Sequence, residues 1–164
     1  MLGDFLQQYE PTFLRGWKTL IDLLELQEAT GRALVLMAFE IAITGLPHTL
    51  TSNELKVRLL DLLISIESSD ENMLNREIAC VLLGRMLTTH CFYEDESSFN
   101  IILRALMSSL AQQLHELRLS WDYPEAKGSV VLSSTHRELL FYAVSAAFEV
   151  PFDRKKEYEK ALLY

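Results

Sequence analysis

Arg76-Glu77-Ile78-Ala79-Cys80-Val81-Leu82-Leu83-Gly84 is the stretch on which the fold turns, because the chain opens two other stretches in the same way. Arg32-Ala33-Leu34 and Arg137-Glu138-Leu139 each begin a similar apolar, alanine-containing run of about a dozen residues. Upstream of the first two runs lies a second echo. Leu20-Ile21-Asp22-Leu23-Leu24 recurs as Leu59-Leu60-Asp61-Leu62-Leu63. Apolar positions in these blocks return every three or four residues, which is helical spacing. One helix pair used about three times accounts for both echoes.

The boundaries of the pairs follow from punctuation. Pro11 fits the first turn of a helix over 11–27, since its missing N–H is unsatisfied there in any case. Thr30-Gly31 breaks the chain, and a second helix over 32–44 stops at Gly45 and Pro47. Thr51 and Glu54 form a capping box for a helix over 52–67. Asp70 caps a helix over 71–89. Phe99, Leu103, Leu106, Leu110, Leu114 and Leu117 make the stripe of a helix over 98–118. A loop over 119–133 follows, then a helix over 135–149 started by Thr135 and Glu138. Pro151 separates a final charged helix over 152–164. Gly84 lies inside a helix, where it costs about 1 kcal/mol against alanine. Close approach of another helix explains it, and Arg85 beside it is placed to reach a neighbour.

The expected fold is therefore all-α, a single domain over 1–164 with six to seven helices. Residues 11–149 form three stacked antiparallel helix-pair units. Self-similarity at a period near 40 residues marks helical repeats, and these units resemble the HEAT and armadillo class of α-solenoids. A plain helical bundle is the alternative. The resemblance implies a binding scaffold with an exposed surface for another chain. Asp22 and Asp61, at matching places on first helices, are expected to pair with Arg32 and Arg76 along the seams. An arginine at a helix start opposes the dipole and needs a carboxylate.

Charge narrows the partners. The chain carries a net charge of −8 over 164 residues, and residues 1–100 hold 15 acids against 7 bases. Phosphate is repelled by such a surface, which disfavours direct binding to nucleic acid or an anionic membrane. A protein with a basic surface is attracted. The two cysteines, Cys80 and Cys91, lie 11 positions apart, roughly 16 Å along a helix, too far for a disulfide. A reducing, cytoplasmic compartment is expected. Asp4 and Glu10 interrupt anything resembling a signal peptide.

Candidate chemistry is sparse. Glu40 sits in the otherwise apolar run Ala33–Ile43. Desolvated, it is a general acid or base in an apolar pocket; on a wet face, or paired with Arg85 or Arg104, it is structural. His90, Cys91, Glu94, Asp95 and Glu96 lack the spacing that zinc or calcium requires, so no metal and no cofactor are expected. His136 reads as a surface or capping histidine, and Cys80 as a small buried hydrophobe. No glycine-rich phosphate loop or nucleophile elbow is present in the sequence. Catalysis finds no support.

The surface candidates are of two kinds. Arg118, Trp121, Asp122 and Tyr123, around the long loop, are partner-binding candidates, because Trp, Tyr and Arg anchor interfaces. Glu67, Asp70 and Glu71 form an acidic cluster for a basic partner. The expected function is a non-enzymatic interaction module: an adaptor, a scaffold subunit or an inhibitor. A helical enzyme or ligand receptor built around Glu40 is a second possibility, and an acidic nucleic-acid mimic is a third.

Overall fold

Ala79, Cys80, Leu82, Leu83, Met86 and Leu87 make a broad apolar face of one helix, and all six are buried, while Leu74, Arg85 and Thr88 on its other side are exposed. A helix with so wide an apolar face packs against several neighbours at once. The computed structural model describes residues 15–25, 28–45, 53–88, 96–122 and 134–147. Among them the helices are α1 (residues 15–25), α2 (Ala29–Gly45), α3 (Asn53–Ser69), α4 (Met73–Thr88), α5 (Glu96–Asp122) and α6 (Ser134–Ala146). No strand occurs among the described residues.

The central helix α4 packs against α2, α3, α5 and α6. Second helices of the pairs thus make one row, α2–α4–α6. First helices make another, in which α3 meets α5 and Arg58 on α3 binds Asp22 and Glu25 on α1. Within the pairs, α3 packs on α4 and α5 on α6. Trp17 stacks on Phe39 with ring centroids 5.6 Å apart, joining α1 to α2. One apolar core runs through both rows, from Ile21 and Phe39 through Leu63 and Leu83 to Leu106 and Leu140. Each such buried side chain contributes about 1.5–3 kcal/mol over its exposed state. These contacts make an all-α packing that fits stacked helix pairs and a plain helical bundle alike.

At Gly84, α4 and α6 are in close contact. A Cβ built on Gly84 would stand 2.9 Å from Ala143 Cβ and 3.2 Å from its Cα. The glycine is therefore a packing residue, as its position in the helix implied. Arg85, next to it, crosses to α2 and binds Glu40 at 2.9 Å.

Several boundaries and seams differ from the sequence expectation. Thr30-Gly31 does not break the chain: α2 starts at Ala29, and the Arg32 amide already donates to Glu28 O at 2.9 Å. α3 runs on to Ser69, because the Ser68 and Ser69 hydroxyls bond back to Ile64 O and Ser65 O and satisfy the last turn. Asp70 does not cap α4. It accepts from the Asn72 amide at 2.8 Å, and Asn72 Oδ1 in turn accepts from the Leu74 amide at 2.9 Å, so Asn72 is the cap.

α5 is 27 residues long and reaches Asp122. Good helix formers fill Gln112–Leu119, Gln112 reinforces them by donating to Glu116 at 3.1 Å, and the first strong breaker is Pro124, which disfavours helix at the residue before it. Trp121 and Asp122 thus stand on a helix rather than in a loop. The arginine seams also re-pair. Asp22 binds Arg58, Arg32 binds Asp70 at 2.8 Å, and Arg76 donates to the Glu67 carbonyl at 2.7 Å. Among the described residues, no helix is long and apolar enough to cross a membrane. Tyr123, Cys91, Glu94, Asp95 and the helix expected over 152–164 lie outside the described residues.

Candidate functional site

Three helices bring four polar side chains together inside the core. Glu67 on α3 and His136 on α6 have no exposure, and Gln113 on α5 almost none. A carboxylate only accepts. The Ser109 hydroxyl donates to Glu67 Oε2 at 2.6 Å, and His136 Nε2 donates to Glu67 Oε1 at 3.0 Å. That leaves His136 Nδ1 to accept from Gln113 Nε2 at 2.6 Å. Gln113 Oε1 is buried without a hydrogen-bond partner.

This constellation holds the groups of nucleophilic catalysis in the wrong order. A serine nucleophile needs a base on its hydroxyl proton, and here the hydroxyl is spent on the carboxylate. The sequence expectation of a surface or capping His136 is corrected: its ring sits in the Leu140–Ala143–Ala147 core register of α6. The assignment of Glu67 to a partner-facing acidic cluster is corrected as well, because its carboxylate is spent within the domain.

Cys80 is buried, as expected of a small hydrophobe. Burial pushes its thiol far above the ordinary value, and the negative charges of Glu67 and Glu77 add to the shift. A thiol held protonated is a poor nucleophile. Glu40 also leaves the catalytic candidates. It is part-exposed on α2, ion-paired with Arg85, and lines neither groove of the described surface. Among the described residues, no three His, Cys, Asp or Glu side chains are grouped to hold a metal ion.

Open grooves mark the surface of the described residues, two of them between helices. The larger, about 440 Å³, lies where the ends of α1 and α3 meet the start of α2. Leu24, Leu62 and Ile66 supply its apolar lining, and Glu25, Asp70 and Glu71 supply carboxylates beside the single guanidinium of Arg32. Asp70 is fixed by Arg32 and by the Asn75 amide, which donates to it at 3.3 Å and to Ala29 O at 2.8 Å. Burial alone would raise the Asp70 carboxyl. Hydrogen bonds from Arg32, the Asn72 backbone and Asn75, with the Arg32 charge, outweigh it and hold the group below the usual range. The smaller groove, about 370 Å³, lies between α3 and α5 and is lined by Lys56, Leu60, Asp61, Ser97 and Ile101 among others.

The aromatic candidate sits elsewhere. Arg118, Trp121 and Asp122 are exposed on the last turns of α5, with Trp121 at 73%. Leu114, Arg118 and Trp121 are four and three residues apart, so they share one helix face. They do not join the groove at α1–α3.

The buried network was detectable from register. Ser109 and Gln113 extend the buried Ile102–Leu106 stripe by steps of three and four, so both fall on the core face of α5. Comparison with known families, curated proteins and solved structures finds no match for this chain.

Proposed function

We propose that this protein is a non-enzymatic protein–protein interaction module whose first two helix-pair units meet a basic partner. One observation carries the reading. Among the described residues of these two units, between 15 and 88, the exposed charged side chains are five carboxylates, Glu25, Glu28, Glu54, Asp61 and Glu71, against three bases, Arg15, Lys18 and Arg85, of which Arg85 is paired with Glu40. The other bases of the same span, Arg32, Lys56, Arg58 and Arg76, are half-buried. Three of them are turned toward the domain, Arg32 onto Asp70, Arg58 onto Asp22 and Glu25, and Arg76 onto the Glu67 carbonyl. The exposed surface of these units is thus net acidic, and a field of one sign steers an oppositely charged partner.

The titratable groups suited to chemistry support the same reading, since Glu67, His136 and Cys80 are enclosed in the core. A cytoplasmic setting fits a buried thiol kept as such. Capture from native lysate with the wild-type chain and a Glu28→Lys/Glu54→Lys/Asp61→Lys variant tests the reading. The expected result is a basic protein retained by the wild type, released by salt and lost with the variant. An identical set of captured proteins for both would overturn it.

A further inference from the structure

The groove at the junction of α1, α2 and α3 joins apolar side chains to three carboxylates, where the groove between α3 and α5 has Asp61 beside Lys56. Leu62 and Ile66 lie in it, and Glu25, Asp70 and Glu71 stand around it. Its carboxylates are not equivalent. Glu25 is held by a bidentate Arg58, with bonds of 2.8 and 2.7 Å, and Asp70 by Arg32. Glu71 is exposed and has no ion pair among the described residues. Two carboxylates are thus prepositioned, and a third is open to a cation.

We propose that this groove seats a short basic segment of the partner protein, with an apolar side chain on Leu62 and Ile66 and a lysine or arginine against Glu71 and Glu25. The proposal rests on the reading of the protein as an interaction module. Charge complementarity selects the occupant. Three carboxylates stand with two guanidiniums, Arg58 on Glu25 and Arg32 on Asp70, which leaves Glu71 as the unmatched charge, so an anion is repelled and a neutral apolar group leaves the rim unmatched. Lysine and arginine answer both demands, because their methylene stems cover apolar surface while their heads stay with the carboxylates. Size agrees: about 440 Å³ is near the lower end of ligand pockets, about 300–1,000 Å³, enough for one or two side chains of a segment lying across it.

The test uses the full chain and a fluorescein-labelled peptide, Arg-Arg-Leu-Ser-Ser-Leu-Arg-Arg, beside a twin with glutamate for arginine and another with serine for leucine. Anisotropy gives affinity, and amide shifts give location. The expected result is binding of the first peptide only, with shifts centred on Leu62, Ser65, Ser69 and Glu71. Ser65→Trp, which fills the groove, and Glu71→Lys, which reverses its open charge, each weaken it by about tenfold or more. Shifts centred on Trp121, or unchanged affinity in both variants, would overturn the proposal. Should Ser65→Trp fail to fold, Glu71→Lys at an exposed site decides alone. A lysate partner lost with Glu28→Lys/Glu54→Lys/Asp61→Lys but indifferent to Ser65→Trp and Glu71→Lys removes the groove and leaves the module. A partner indifferent to all of them removes the module itself.

Discussion

Glu67 and His136 meet across 3.0 Å with neither side chain reaching solvent, and through them α3 is tied to α6. Such a pair stabilises little against an apolar pair of the same shape. Breaking it by half leaves a buried group without its partner. His136→Leu is therefore expected to lower stability by ~3 kcal/mol. Glu67→Met is expected to cost a similar amount. The double variant should lose less than the two together, with a coupling of about 0.5–3 kcal/mol. Urea unfolding of the four proteins checks this, and strict additivity would show that the two side chains do not act as a unit.

Gly84→Ala tests the α4–α6 contact. Helix propensity alone favours alanine by about 1 kcal/mol, but the added methyl would stand 2.9 Å from Ala143 Cβ. Overpacking costs about 1–3 kcal/mol, so the expected outcome is a lower melting temperature. Ala143→Gly in the same chain should recover part of it. A melting temperature that rises with Gly84→Ala alone would mean the helices can separate freely.

Asp70 links stability to acid. Its carboxyl is lowered in the fold, by the balance of burial against Arg32, Asn72 and Asn75. A depressed carboxylate contributes fully above the unfolded value of about 3.9 and loses that contribution as pH falls through the folded value. Stability should thus decline from about pH 4 downward, with Glu25, lowered chiefly by its Arg58 hydrogen bond, acting in the same direction. Asp70→Asn should cost about 1.5–3 kcal/mol at neutral pH and flatten the decline below pH 4. Parallel denaturation curves for both proteins between pH 3 and 7 measure it. An unchanged acid slope would remove Asp70 from the account.

These residues also explain what could be read ahead of the structure. Gly84 was legible because one helix and one missing Cβ state the problem fully. The all-α class was legible because the repeated blocks return apolar positions at helical spacing. Pairings across helices were not, since a linear pattern fixes which face a residue occupies but not which neighbour meets that face. Asp22 shares a helix face with more than one possible partner, and Arg58 reached it where Arg32 was expected. His136 and Glu67 were misplaced for another reason. Their polar character outweighed their core register, although a polar residue in a core position is the more informative signal. The α1–α3 groove was invisible, because Glu25 and Leu62 belong to different helices that only the fold brings together.

Trp121 and Trp17 offer an optical test of the surface assignment. Trp17 is buried and stacked on Phe39, whereas Trp121 is 73% exposed on α5. Trp121→Phe should leave stability within about 0.5 kcal/mol and remove the red, iodide-quenched part of the emission. The remaining Trp17 signal should be blue-shifted and resist quenching. If Trp121→Phe instead lowers the melting temperature markedly, the α5 end packs against the domain and is closed to a partner.

Cys80 provides the last measure, because its reactivity reports the core directly. Burial raises its thiol well above the usual range, with the charges of Glu67 and Glu77 adding to the effect. Only the thiolate reacts with aromatic disulfides, and the sulfur has no path to solvent in the native state. In a Cys91→Ser background, Cys80 is expected to label slowly at pH 8, at a rate set by opening of the core. Raising urea below the transition should accelerate labelling in step with the fall in stability, and His136→Leu should accelerate it without urea. Complete labelling within seconds in the native protein would place Cys80 on an accessible path and reopen the possibility of thiol chemistry.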